Sequence, residues 1–375
     1  MRLRTAAAAA AGTLLSAGVA AVAAGRYGTD AALRPALDRP LPNEPPLTVH
    51  ATEPGRVTLT RSLASLRPGT YGLAGPACHA VIGPVLQDAP SPADCVVRRL
   101  ERVTHGSLAP GDRVRLTPQV HIGNPRDALG LEHADVDIPG ELGPLPAWFV
   151  PAERTTWVIT VHGLGTTREH PMVVMPFLRK LRVPVLDLAY RGDPGAPPPE
   201  DGIGHLGDTE WRDLDAAIRY AVRYGAQRVV LHGWSTGGAM ALHAAANSAL
   251  RHRVSGVVLD SPVLDWRVTL RALAAARGTP AALMPLVIRA AEGRTGLHGS
   301  LLEEAADPER LRVPALVLHG PDDALAPWSV SRELAGRRSE LVTLHPVPGA
   351  PHGALWNADP HGYEEALRRF LTPLL

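Results

Sequence analysis

The sequence predicts an α/β protein with a doubly wound, mostly parallel sheet over residues 134–375, a helical lid insertion and an N-terminal β-rich extension. Two observations predict this class. After about Ala134, strand-length apolar runs alternate with helix-length amphipathic stretches, and the runs are continuous in Val, Ile and Leu. Strands covered on both faces show such runs, and the repeated order strand, helix, strand implies parallel pairing.

The elements of the sheet region follow in a regular order. The helix after the second strand has an apolar face, because Leu214, Ile218 and Ala221 recur at helical spacing. Strands are predicted at "WVITVHG", "VPVLDLAY", "RVVLHGWS", "VSGVVLD", "PALVLHG" and "LVTLHPV". Helices are predicted near residues 172–181, 210–224, 236–250, 329–337 and 362–371.

The extension over residues 47–133 has short β-type runs that are separated by turns, such as "GRVTLT", "GTYGLAG", "CVVRRLERV" and "GDRVRLTP". Runs of this kind predict a small antiparallel sheet. Its four histidines are scattered without the spacing of metal ligands, so no metal site is expected.

The first 26 residues are typical of a signal peptide or an N-terminal membrane anchor. Arg2 and Arg4 precede an uncharged stretch from Thr5 to Gly25, and "AVA" at 21–23 offers a cleavage site. An Ala-rich soluble helix is the third alternative. Residues 27–46 predict a Pro-rich linker, so the body is expected outside the cytoplasm, either secreted or held at the membrane.

The charge balance argues against a nucleic-acid partner, because 38 basic side chains face 37 acidic ones in 375 residues. Cys78 and Cys95 are the only cysteines. In an oxidising compartment a disulfide between them is favoured over two free thiols.

Ser235 is the candidate nucleophile. It lies in "GWSTG", directly after the apolar run "RVVLHG" and directly before a helix rich in Ala, Met and Leu. A Gly-x-Ser-x-Gly turn between a strand and a helix exposes the serine at the carboxyl end of the strand, and the helix N-terminus favours developing negative charge there. The alternative is a helix N-cap serine.

A serine hydroxyl requires a base, and in this arrangement the histidine follows near the C-terminus. His243 lies too far along the helix after Ser235, whereas His319 and His345 fall within strand runs. His352 lies in a loop past the last strand and is the preferred base. The acid is Asp322 or Asp323, with Asp260 as a third option, and chemistry alone leaves the first two equal.

The oxyanion of acyl transfer needs two backbone N–H donors. We expect one from Thr236, the residue after the nucleophile, and one from Leu164, which follows His162 and Gly163 at the end of an early strand. A plain turn at that strand end is the alternative.

These motifs resemble those of the serine α/β-hydrolases, in particular bacterial serine aminopeptidase-like hydrolases. The similar stretches are "HGLG", "GWSTGG", "HGPDDALAP" and "GAPHGALWN", and the resemblance extends from about Val136 to the C-terminus. It implies the α/β-hydrolase fold, a Ser235, Asp323, His352 triad, and Leu164 and Thr236 as oxyanion donors. It thereby favours Asp323 over Asp322. Pro351 stands where the family usually has glycine.

The expected activity is hydrolysis of a small or lipid-like carboxylic ester through an acyl-enzyme, without metal or organic cofactor. The insertion at about 263–310 is apolar enough to form a lid over an acyl pocket. One alternative is an aminopeptidase-like serine peptidase, in which Glu200, Glu210 and Asp213 could hold a substrate ammonium group. A catalytically silent, membrane-tethered binding protein is the alternative from another class.

Overall fold

The computed structural model describes residues 22–34, 45–295 and 307–375. Its strands fall into two groups along the chain. The first group is β1 (Leu47–Glu53), β2 (Arg56–Thr60), β3 (Tyr71–Gly75), β4 (Cys78–Val85), β5 (Cys95–His105) and β6 (Arg113–Thr117). The second is β7 (Ala134–Pro139), β8 (Pro144–Val150), β9 (Thr156–Val161), β10 (Val185–Leu188), β11 (Arg228–Trp234), β12 (Val254–Asp260), β13 (Ala315–His319) and β14 (Val342–Pro346).

The second group forms one eight-stranded sheet in the order β14-β13-β12-β11-β9-β10-β8-β7. Strands β9 to β14 pair in parallel, whereas β7 and β8 are antiparallel. Alternate residues of β11 enter two different cores, with Val229 and Leu231 on one face and Val230 on the other. The predicted fold class is therefore confirmed.

Helices cover both faces of this sheet. α4 and α5 pack on one face, and α3 and α10 pack on the other. The helices are α1 (22–33), α2 (Pro125–Leu129), α3 (Met175–Lys180), α4 (Trp211–Arg223), α5 (Thr236–Asn247), α6 (Trp266–Ala276), α7 (Met284–Thr295), α8 (Trp328–Arg337), α9 (Leu355–Ala358) and α10 (Pro360–Leu371).

The β-rich extension is a closed barrel in the order β1-β2-β5-β4-β3-β6, not an open sheet. It closes because β6 pairs back onto β1, with Val114 opposite Leu47. Closure satisfies the edge strands, whose hydrogen-bonding groups would otherwise be unpaired. The interior is filled by apolar side chains that include Val49, Leu59 and Ile82.

The expected disulfide is absent, because both cysteines are free and buried. Cys78 begins β4, where the next residue, His79, pairs with His105 at the far end of β5. Cys95 begins β5, so about ten residues of strand separate it from that position. At about 3.3 Å per residue the two ends are much farther apart than the ~7 Å limit between the Cα atoms of a disulfide. The preference for a disulfide is therefore wrong in this structure.

Helix α1 packs on the lid helices α6 and α7. The Thr29 hydroxyl donates to the Val287 carbonyl at 3.1 Å, and the Gly204 N–H donates to the Leu33 carbonyl at 2.8 Å. The structure thus differs from the predicted linker over residues 27–33, which belong to this helix. Residues 1–21 of the predicted signal or anchor segment lie outside the described residues. Among the residues that are described, no helix is long and apolar enough to span a membrane.

The barrel is fixed to the sheet region beside the loop that follows β14. The Asn357 side chain is buried and donates to the carbonyls of Thr70 (2.9 Å) and Pro118 (3.1 Å). The Thr70 N–H donates in return to the Asn357 carbonyl at 2.8 Å. Ala354 belongs to the apolar core of the barrel. The loop that carries His352 is therefore supported by both parts of the fold.

Candidate active site

Ser235 lies on a strained turn between β11 and α5. Its φ of 54° and ψ of −115° place a non-glycine residue in a rarely populated backbone region. The flanking glycines have no space for a side chain: a Cβ on Gly233 would lie 2.1 Å from the Gly237 carbonyl oxygen, and one on Gly237 would lie 2.4 Å from the Val161 carbonyl oxygen. The sequence therefore forms this turn because only glycine permits such close approach of the backbones.

The structure brings Ser235, His352 and Asp323 into one hydrogen-bonded chain. Nε2 of His352 lies 2.7 Å from Oγ of Ser235, and Nδ1 lies 2.7 Å from Oδ2 of Asp323. Because a carboxylate only accepts, Nδ1 carries the proton and Nε2 is left to accept from the hydroxyl. This is the arrangement in which an imidazole can take the proton of a serine.

The charges of this chain are mutually stabilised. Burial opposes protonation of His352, but the charge of Asp323 and its hydrogen bond outweigh burial and raise the pKa of the imidazole. Burial acts to raise the pKa of Asp323 as well, but His352 and His319 outweigh it, and the pKa of this carboxyl is well below its usual range. An ionised carboxylate beside the ring is suited to stabilise an imidazolium.

The three candidate acids have different surroundings. Asp323 is almost fully buried, and its Oδ1 accepts from the N–H groups of Leu325 and Ala326, while Oδ2 lies 3.2 Å from Nε2 of His319. Asp322 is exposed to solvent. Asp260 is buried, and burial raises its pKa to about 7; its carboxylate accepts from the Ser261 hydroxyl. Of the three, Asp323 is the one that contacts His352.

The predicted oxyanion loop lies beside the nucleophile. A Cβ on Gly163 would be only 2.7 Å from the Cβ of Ser235, so the loop touches the serine. The Leu164 N–H donates to the Thr236 hydroxyl at 3.0 Å, and Thr236 is the first residue of α5. His162 is anchored below the loop, because its Nε2 lies 2.7 Å from Asp193. An oxyanion must therefore displace the Thr236 hydroxyl before it can accept from Leu164.

A cavity of about 890 Å³ opens at Ser235, between the barrel and the sheet region. A volume of this size is within the range of small-molecule sites. The lining residues of the sheet region include the predicted oxyanion loop, Trp234, Ser235, His170 and the His352 loop. The opposite wall is formed by the barrel, with Arg67, Tyr71, Arg113, Arg115, Thr117 and Gln119.

The lid has a different position from the expected one. No described residue of α6 or α7 lines the cavity. The apolar side chains of these helices, such as Trp266, Leu270 and Val287, instead form a core with Leu33 of α1 and with Leu325. The barrel, not the lid insertion, therefore covers the candidate site.

Sequence reasoning missed the barrel residues of this site. Gln119 bridges the two parts, since its side-chain amide donates to the Thr167 hydroxyl (3.0 Å) and to the Glu169 carboxylate (3.2 Å). The run "GDRVRLTP" contained one usable signal, because Arg113 and Arg115 alternate with apolar residues and must share one face of a strand. No sequence pattern indicated what that face contacts.

Comparison with known proteins agrees with this architecture. A sequence model described as the α/β-hydrolase fold matches residues 156–292, and a model of a domain of unknown function (DUF8805) matches residues 48–117. The uncharacterized protein YfhR of Escherichia coli O157:H7 is 25% identical over 244 residues, which are 62% of this chain and 77% of that protein.

Solved structures with the same fold include two crystal forms of the Pyrococcus furiosus esterase Pf2001. One superposes with a TM-score of 0.54 at 23% identity, and it covers 67% of this chain and 95% of the esterase. The other has a TM-score of 0.53 at 21% identity and covers 67% and 94% of the two chains. At these identities the likeness shows the fold.

Proposed function

Because this chain belongs to the α/β-hydrolase superfamily, we propose that it is a serine hydrolase that cleaves carboxylic esters through an acyl-enzyme on Ser235. The observation that carries the proposal is the hydrogen-bonded chain from Ser235 through His352 to Asp323, with both distances at 2.7 Å. That this fold also occurs in an esterase adds support.

In the proposed reaction, Nε2 of His352 accepts the proton of Ser235 as its Oγ attacks the ester carbonyl carbon. The carbonyl oxygen becomes an oxyanion, which accepts from the N–H groups of Leu164 and Thr236. His352 then gives the proton to the departing alcohol as the bond between carbon and alkoxy oxygen breaks. Water, deprotonated by His352, attacks the acyl-enzyme and releases the acid and free Ser235.

The alternative of an aminopeptidase-like activity has less support. Asp213 forms a buried ion pair with Arg191 at 2.6 Å, and the carboxylate of Glu210 accepts from the N–H groups of His205 and Gly207. Glu200 is exposed. The carboxylates considered for binding a substrate ammonium group therefore have other partners or lie in solvent, which favours ester over aminoacyl substrates.

The acyl group is proposed to be small. The apolar lid side chains that would suit a long lipid chain pack against α1, and the wall facing Ser235 is polar. A series of p-nitrophenyl esters from acetyl to palmitoyl, measured beside aminoacyl p-nitroanilides, tests both points. We expect the highest kcat/KM for short esters. Fastest cleavage of the aminoacyl substrates would contradict the ester proposal, and failure to cleave any substrate would favour the silent binding protein.

We also propose that the N-terminal segment places the protein outside the cytoplasm, either tethered to the membrane or secreted. Only the sequence of residues 1–26 supports this. Expression of the full chain followed by carbonate extraction and N-terminal sequencing is the test. An anchor predicts carbonate-resistant protein that starts at the initiator methionine, and a signal peptide predicts soluble protein that starts near Ala24. Soluble cytoplasmic protein with an intact N-terminus would contradict both.

A further inference from the structure

The outer face of β6 lines the cavity opposite the catalytic chain. Arg113, Arg115 and Thr117 alternate along the strand with Val114 and Leu116, which are buried in the barrel core. Side chains at every second position share one face of a strand, so both arginines face the cavity side. They are exposed to solvent, which places them towards its mouth.

A third arginine of the same wall, Arg67, is held on a rigid loop. The guanidinium of buried Arg98 donates to the carbonyls of Ser65 (3.1 Å), Arg67 (2.7 Å) and Gly69 (2.8 Å). Burial lowers the pKa of Arg98 to about 10, so it remains cationic at neutral pH. The half-buried Arg67 is therefore fixed in place by a network inside the barrel.

The cavity lining is cationic although the whole chain has a net charge of only +1. Among its described residues, the lining has Arg67, Arg113 and Arg115 against a single acidic residue, Glu169. The Glu169 carboxylate accepts from the Gly123 N–H at 2.7 Å and from the Gln119 amide at 3.2 Å. Its charge is thus partly stabilised by donors other than these arginines.

We propose that Arg67, Arg113 and Arg115 form an anion-recognition wall, which binds a carboxylate or phosphate group on the part of the ester remote from the scissile bond. A guanidinium presents paired N–H donors that match either group. The inference rests on the proposed esterase function and adds the substrate class: esters with an anionic end. It also gives the barrel a role in selecting the substrate.

The test compares substrates that differ only in charge. In the acyl arm, p-nitrophenyl hexanoate is compared with the mono-p-nitrophenyl ester of adipic acid and with p-nitrophenyl 6-phosphonohexanoate. In the alcohol arm, butyl acetate is compared with 4-acetoxybutanoate. The readout is the ratio of kcat/KM for the anionic ester to that for the neutral ester, and the phosphonate separates phosphate from carboxylate recognition.

For the wild type we expect a ratio above one, about tenfold or more, in at least one arm, and a decrease with added salt. Arg67→Gln, Arg113→Gln and Arg115→Gln should each lower this ratio, whereas Arg115→Lys should retain most of it because it keeps the charge. The matched control is Arg99→Gln, since Arg99 is an exposed barrel arginine on β5 that pairs with Glu101 at 3.7 Å. It should leave the ratio unchanged.

Two results would overturn the inference. If neutral and anionic esters are cleaved equally in both arms, or if the three Gln variants keep the wild-type ratio, the wall does not recognise anions, although the esterase proposal stands. If the wild type cleaves none of these esters and Ser235 does not react with a fluorophosphonate, the proposed function fails, and the inference fails with it.

Discussion

Nε2 of His352 lies 2.7 Å from Oγ of Ser235, although 117 positions separate the two residues in the chain. They meet because Ser235 follows β11 and the His352 loop follows β14, and parallel strands end at the same edge of their sheet. The barrel extends this relationship, because Ala354, two residues after His352, packs in the barrel core. The position of the catalytic base thus depends on the docking of the extension.

Replacement of Asp323 should impair catalysis much more than replacement of its neighbour. Asp323→Asn removes the acceptor of the His352 Nδ1–H, and loss of this group in a triad lowers kcat by about 10³- to 10⁴-fold. Asp322→Asn is the matched control, because Asp322 is exposed and should keep near wild-type activity. Steady-state kinetics with a short p-nitrophenyl ester measure both. The opposite order of effects would assign the acid to Asp322.

The pH dependence of kcat/KM should report the protonation of His352. Only the neutral ring can accept the Ser235 proton, so the rate should fall by about tenfold per pH unit below the pKa of His352. Asp323 raises that pKa, and the carboxyl itself remains ionised in this range. In Asp323→Asn the residual activity should therefore lose its acid limb at a lower pH than in the wild type. A limb at an unchanged or higher pH would contradict this coupling.

Gly163→Ala should damage the site without unfolding the protein. The new Cβ would lie 2.7 Å from the Cβ of Ser235 and 3.0 Å from the Trp234 carbonyl oxygen, so the oxyanion loop must move away from the serine. A misplacement of about 1 Å can lower the rate by ~10²-fold. The control is Gly336→Ala in α8, where no atom lies within 4 Å. Equal kcat/KM for the two variants, with equal melting temperatures, would show that the loop is not held against Ser235.

Two glycines of the barrel test the docking of the extension. Both have positive φ, 88° at Gly69 and 96° at Gly111, so alanine costs about 1–2 kcal/mol of strain at either position. At Gly69 the added Cβ would also lie 1.9 Å from the Asn357 carbonyl oxygen, the acceptor of the Thr70 N–H. Gly69→Ala should therefore lose activity beyond its loss of stability, whereas Gly111→Ala should lose only stability. Thermal melts beside kinetics separate the two, and matching losses of activity would argue against coupling through Asn357.

The sequence was informative where local pattern and function coincide. The strand runs, the Gly-Trp-Ser-Thr-Gly turn and the His352 loop each have a signature within a few residues, and the structure brings Ser235, His352 and Asp323 together. The choice between Asp322 and Asp323 depended on resemblance, because burial by Leu325, Ala326 and His319 is a tertiary property. Adjacent carboxylates with equal chemistry cannot be distinguished by their spacing.

The parts that the sequence did not predict are long-range arrangements. Closure of the barrel depends on Val114 meeting Leu47, and its docking depends on contacts of Asn357 with Thr70 and Pro118. No local pattern encodes such pairings. The apolar lid and an N-terminal segment that looked like a linker were each interpreted alone, whereas in the structure Leu33, Trp266 and Val287 bury one another.

The central claim is that Ser235 is a nucleophile activated by His352, and covalent labelling tests it most directly. A fluorophosphonate probe loses fluoride when an activated serine attacks its phosphorus, and mass spectrometry of the digested protein then locates the adduct. The account predicts a single adduct on the peptide that contains Ser235, with no labelling in Ser235→Ala and strongly slowed labelling in His352→Ala. An unlabelled wild type under conditions where a control serine hydrolase reacts, or an adduct on another residue that persists in Ser235→Ala, would contradict it.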